Sequence, residues 1–204
     1  MPQFMGHFFV LKSMQLIKIF STKAFFLVAL CLGVWAYYPG LNGGFVFDDV
    51  LNISTNDHLK INQFAIEDLL QASWSGYSGP LQRPIAMFSF AVNHIFTGMN
   101  PWWMKLSNLL IHIANTVILL LFCKELFRRI NLKEASINKV APYIISGIWL
   151  VHPINVTAVS YIVQRMASLS GTFVLLALYC YLKLRNEKFD QMRAWILGPA
   201  ILIC

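Results

Sequence analysis

Asp48 and Asp49 stand side by side just beyond an apolar block that closes near Tyr38-Pro39-Gly40, after the turn signal Asn42-Gly43-Gly44. A carboxylate held at a membrane surface can take a proton from a hydroxyl. In an extended backbone adjacent side chains point to opposite sides, which would divide the pair. One aspartate then faces a cleft while the other caps or orients the loop; the plainer alternative is that both merely cap a turn. Arg83 opens the apolar stretch Pro84 to Phe96. A guanidinium beside a helix N-terminus suits a phosphate, although the same side chain can also simply snorkel toward lipid headgroups. His152-Pro153 and Gln164-Arg165 bring more polar groups to the same side of the chain's apolar blocks, and Ser89 and Asn93 lie four apart on one face. Asn108, His112 and Asn115 are spaced i, i+4, i+7 inside an apolar block, so they share a helix face. Such a stripe bonds neighbouring helices more readily than it performs catalysis. Cys31, Cys123, Cys180 and Cys204 lie in or beside apolar segments without a C-x-x-C pair, so neither a metal site nor a disulfide framework is expected.

The elements that must position these groups follow from composition. Of 204 residues 57% are hydrophobic and only 12% charged, against roughly 25% charged in a soluble domain. The apolar residues come in blocks, which excludes a soluble enzyme, a disordered tail and a secreted disulfide scaffold. The net charge of +7 does not indicate nucleic acid, because the basic residues flank apolar blocks and do not form one exposed surface. A crossing needs about 20 mostly apolar residues. Charge-free stretches predict spans at about 24–41, 106–123, 137–151 and 166–182, the third ending where His152-Pro153 breaks the helix. A fifth, 194–204, is too short to finish its crossing, so the chain reads as the N-terminal part of a longer polytopic protein. The first span shows no clear cleavage site and is expected to remain as a helix. Within the 42–104 loop, Asn62 to Trp74 reads as a short helix and Pro84 to Phe96 as an interfacial one, with Trp102-Trp103 as an aromatic belt.

Loop charges give the orientation. Lys12, Lys18, Lys23, Lys124, Arg128, Arg129, Lys133, Lys139, Lys183, Arg185, Lys188 and Arg193 fall on one side; Lys60, Arg83, Lys105 and Arg165 fall on the other. The segment 1–23 is therefore expected in the cytoplasm and the 42–104 loop outside it, facing a periplasm or a lumen. A bacterial inner membrane is favoured over the endoplasmic reticulum. Five of the nine acidic residues (Asp48, Asp49, Asp57, Glu67 and Asp68) sit in that loop. Two sequons, Asn52-Ile-Ser and Asn155-Val-Thr, also fall outward.

Four blocks in order, Phe45-Val-Phe-Asp-Asp, Arg83-Pro-Ile to Asn93-His94, Leu106-Ser-Asn to Asn115, and His152-Pro-Ile to Gln164-Arg165-Met, resemble the membrane part of the tetratricopeptide-repeat O-mannosyltransferases and their bacterial relatives. The resemblance covers about residues 40–185. It implies the all-α GT-C class: a polytopic transmembrane helix bundle whose first outward loop carries an acidic motif and short interfacial helices. It further implies transfer of a sugar, such as mannose, from a polyprenyl-phosphate donor to a protein hydroxyl or other acceptor. On this likeness the acidic motif falls on Asp48 and Asp49, with Asp48 preferred as base; the phosphate-contacting basic-Pro element falls on Arg83-Pro84. The His-Pro turn falls on His152 and the Gln-Arg pair on Gln164 and Arg165, both expected to contact substrate. Relatives often carry Glu after His-Pro where this chain has Thr157, which puts a second carboxylate and some substrate contacts in question.

Sugar transfer needs the acceptor deprotonated and the departing phosphate stabilised, and a carboxylate with a fixed guanidinium supplies both. One base without a second flanking carboxylate implies inversion, by analogy with glycosidases. No cofactor or metal is expected beyond the lipid-linked donor, and this stretch alone is expected to be inactive. A non-catalytic polytopic scaffold retaining the fold is the rival reading. A transporter would also show ionisable residues at mid-bilayer.

Overall fold

The computed structural model describes residues 22–77, 79–80, 82–130 and 135–185. The expected cytoplasmic segment 1–23, apart from its last two residues, and the expected half-span 194–204 lie outside the described residues. Within them the chain is helical with no strand. Three helices are long and apolar enough to cross a membrane, and a bent pair makes a fourth unit if it is counted as one span. The first is α1 (Thr22–Asn42), whose last turn, Tyr38–Asn42, tightens to 3-10 geometry where Pro39 and Gly40 weaken the helix. The 42–104 loop contributes α2 (Ile66–Ser73) and α3 (Pro84–Thr97), and α4 (Pro101–Ile130) follows. α5 (Ala135–Val151) and α7 (Arg165–Leu184) complete the described spans, with short α6 (Val156–Ser160) between them.

α4 is the central post, packing against both α7 and α5. At about 1.5 Å per residue its 30 residues reach about 45 Å, longer than the hydrocarbon core. Asn100 Oδ1 accepts from Trp102 N at 3.0 Å at its start, and Arg128 and Arg129 occupy its last turn, where cations suit the helix dipole. α1 meets α5 through small residues: a side chain at Gly33 would press on Leu150, and one at Gly147 would press on Phe25 and Ala29. Close backbone approach is how helices gain packing where lipid offers no hydrophobic drive.

The break after α5 shows how backbone groups released by a proline are satisfied. Pro153 has no N–H to offer the Trp149 carbonyl, and the Asn155 side chain donates to that oxygen instead at 2.7 Å. The Ile154 N–H is taken by His152 Nδ1 at 3.2 Å, so the Leu150 carbonyl loses its helical partner too. Tyr37 on α1 and His112 on α4 fill the gap, each 3.0 Å from that oxygen. The chain bends by 51° at this point.

The loop is not loose cover. Ile53, Leu59, Ala72, Met87, Phe90, Met104, Ile162 and Met166 form one buried apolar cluster that seats α2 and α3 on the ends of α4 and α7. The helix expected over Asn62 to Trp74 is shorter, Ile66–Ser73, because the preceding residues run extended into the Ala65 cap. The expected interfacial helix is α3, too short at 14 residues to cross. Neither sequon asparagine offers a free amide: Asn52 is buried and donates to Asp48 O, and Asn155 is committed to Trp149.

Candidate active site

The acidic pair divides as expected, but by a different route. The backbone there is turned, not extended: Phe47 takes a left-handed φ of 46°, Asp49 is helical at φ −60°, and a π-helical turn (Val50–Ser54) follows. That twist drives Asp49 inward and leaves Asp48 at the surface. Asp49 is wholly buried, and its carboxylate accepts from Val163 N at 2.7 Å and Val46 N at 3.2 Å. Burial pushes its carboxyl above the usual 3.8, against the opposing pull of those backbone N–H groups and of Lys105. Asp48 is held only by its backbone, whose N–H donates to the Tyr161 hydroxyl at 3.1 Å. Its carboxylate is open to solvent.

Arg83 is likewise exposed and left-handed, φ 48°, as is its neighbour Gln82. A non-glycine residue in that region costs roughly 1–2 kcal/mol, and such strain clusters at functional sites. The turn is held by close approach, since a side chain at Gly76 would collide with the Gln82 carbonyl. Arg83 contributes one guanidinium nitrogen to Met166 Sδ at 3.4 Å, a weak acceptor that leaves its remaining donors available. Asp48, Asp49 and Arg83 therefore all rest on one short segment, 161–166, at the loop end of α7. His152 is exposed at the neighbouring bend, and Gln164 is half-buried.

Arg165 has a different position from the substrate contact expected of it. It is buried, and its donors are occupied: Nε by Asn108 Oδ1 at 2.8 Å, one terminal nitrogen by Ser89 O at 3.2 Å and Ser89 Oγ at 3.4 Å, the other by Asn93 Oδ1 at 3.0 Å and Met104 O at 2.8 Å. Its guanidinium also lies 4.3 Å from the Phe90 ring centroid. The side chain fastens α3 and α4 to α7, so in this arrangement no N–H faces a ligand.

The α4 stripe is equally committed. Asn108 donates to Tyr161 O and Ile162 O, each at 3.2 Å; His112 reaches Leu150 O; Asn115 donates to Ser168 O at 2.9 Å and accepts from Thr172 at 2.6 Å. His112 packs between the rings of Tyr37 and Trp149. Two residues at the site went unread from sequence except for orientation or spacing. Tyr161 anchors Asp48, and Lys105 is buried with its Nζ 3.3 Å from Gly40 O, within electrostatic reach of Asp49. The signal for Lys105 was available: a lysine at the edge of a span is expensive to bury and usually has a partner. Among the described residues no three His, Cys, Asp or Glu side chains are grouped to hold a metal ion.

Compared with known proteins, the chain is 33% identical over 186 residues to protein O-mannosyl-transferase tmtc2 of Xenopus laevis, a match covering 83% of the chain and 20% of that protein. It is 33% identical over 178 residues to protein O-mannosyl-transferase TMTC2 of Homo sapiens, with the same coverage. Protein O-mannosyl-transferase Tmtc3 of Drosophila melanogaster is 25% identical over 173 residues, covering 76% of the chain and 19% of that protein. The chain thus spans about a fifth of the length of the curated relatives it matches. No protein-family model and no solved structure matches it.

Proposed function

Because the chain is related to the protein O-mannosyl-transferases over 83% of its length, we propose that it is the membrane part of a glycosyltransferase that moves a sugar, mannose by the relatives' name, from a polyprenyl-phosphate donor to a protein hydroxyl or other acceptor. Transfer takes place on the non-cytosolic face, where the 42–104 loop stands. The membrane is a bacterial inner membrane in preference to the endoplasmic reticulum. Asp48 takes the proton from the acceptor hydroxyl, whose oxygen forms the new bond to the anomeric carbon. The bond from that carbon to the phosphate oxygen breaks, and its electrons leave with the polyprenyl phosphate. Arg83 holds that phosphate, and His152 and Gln164 contact substrate at the adjoining bend. Arg165 positions the segment on which the base and the cation rest.

The observation that carries this reading is that an exposed carboxylate and an exposed guanidinium, each set on or beside a strained left-handed turn, share one support at the loop end of the bundle. The test is Asp48→Asn in the full-length protein. Transfer from a polyprenyl-phosphate sugar should fall by about 10²-fold or more, the usual scale for a lost general base, with membrane insertion unchanged. Unaltered transfer would sink the assignment of the base and favour the scaffold reading.

A further inference from the structure

At the end of the bundle opposite the acidic loop, a cavity of about 240 Å³ opens between α1, α4 and α5, lined by Thr22, Lys124, Asn138, Lys139 and Tyr143. We propose that this cavity binds a phosphate group, supplied by an anionic phospholipid headgroup or by free phosphate. The proposal does not depend on the sugar-transfer reading.

Two ammonium groups line the cavity, and among the described residues no carboxylate does. The acid next in sequence to Lys124 is Glu125, and it is already committed. It is buried against Arg128 at 2.6 Å, Arg129 at 3.0 Å and Lys183 at 3.7 Å, so its charge does not answer those of Lys124 and Lys139. Among the described residues neither cavity lysine forms an ion pair.

Lys124 is held in place. Its Nζ lies 4.4 Å from the Tyr143 ring centroid, and that ring is braced edge-on by Phe26 of α1 at 6.0 Å. Lys139 reaches the cavity from α5, across from Lys124 on α4. The remaining polar wall residues, Thr22 and Asn138, carry no charge that would oppose an anion.

The depth matches a headgroup. Lys124 follows the charge-free stretch 106–123 directly, so it sits where the hydrocarbon ends. Basic pockets between membrane helices bind anionic headgroups by this chemistry. At about 240 Å³ the cavity has room for a phosphate group with part of its hydration shell.

The experiment uses the full chain purified in mild detergent. Native mass spectrometry measures retained phosphatidylglycerol against phosphatidylcholine, and phosphorus NMR titration measures inorganic phosphate. The wild type should retain phosphatidylglycerol in preference, or bind inorganic phosphate; the first result assigns the source to lipid, the second to free phosphate. Lys124→Gln with Lys139→Gln should weaken binding about tenfold or more. The paired arginine variants, Lys124→Arg with Lys139→Arg, should keep it. Lys23→Gln with Arg185→Gln removes the same charge from the same end outside the cavity and should leave binding unchanged. Equal retention of the two lipids with no phosphate signal in the wild type overturns the proposal. So does equal loss in the Lys23/Arg185 pair. Should the glutamine pair fail to insert, the wild-type lipid preference and the arginine pair still decide the matter.

Discussion

Polar side chains occupy two regions of this molecule under opposite terms. Along α4 and the start of α7, Asn108, His112, Asn115 and Arg165 are buried and spend their hydrogen bonds on neighbouring helices. At the loop end, Asp48, Arg83 and His152 are exposed, and the first two are reached through turned, strained backbone. The difference teaches where the chain stores rigidity and where it presents polar groups to solvent. The buried set holds the helices in register so that the exposed set need not hold itself.

The comparison breaks most readily at Arg165. Replacing it with Met should cost about 3 kcal/mol, since several buried acceptors lose their donor at once. Thermal unfolding of the purified chain measures this, and an unchanged melting temperature would mean that the buried set does not carry the fold. Next comes Asp49, which belongs to the loop by position and to the buried set by environment. Asp49→Ala leaves the N–H groups of Val163 and Val46 unpaired, at about 2 kcal/mol. The pH dependence sharpens the case. Burial raises this carboxyl above 3.8, so the folded chain holds the proton more tightly than the unfolded chain. Its contribution is then greatest below the ordinary carboxylate value and declines as pH rises through the raised one. The alanine variant should lose that decline in a stability-against-pH series. The smallest effect belongs to Tyr161→Phe, which deprives the exposed Asp48 N–H of its acceptor. Stability should change by about 0.5 kcal/mol, while sugar transfer should fall further than stability does; parallel falls would reduce Tyr161 to ordinary packing.

How much of this was legible beforehand depends on the kind of signal. Charge-free length marks helices well, so the stretch expected at 106–123 is the core of Pro101–Ile130 and that expected at 166–182 lies within Arg165–Leu184. The stripe of Asn108, His112 and Asn115 was readable because helical spacing puts the three on one face. The split between Asp48 and Asp49 was anticipated, yet the reason was not. Left-handed geometry at Phe47 carries no sequence mark comparable to a glycine. Arg165 was misplaced because its acceptors, Ser89, Asn93, Met104 and Asn108, come from two other helices, and spacing within one segment cannot announce a partner in another. Lys105 was counted for its charge alone: its place at the edge of a span signals a partner, but nothing local identifies that partner as the Gly40 carbonyl.

The Leu150 carbonyl, shared by Tyr37 and His112, has a mechanical consequence. One oxygen gauges three helices against each other. Sliding α1 by a single turn, about 5.4 Å, would withdraw one donor, and the same slip in α4 would withdraw the second. The bend after α5 thus acts as a latch on vertical alignment, which favours relative movement of the three helices by tilting about this point over gliding past it.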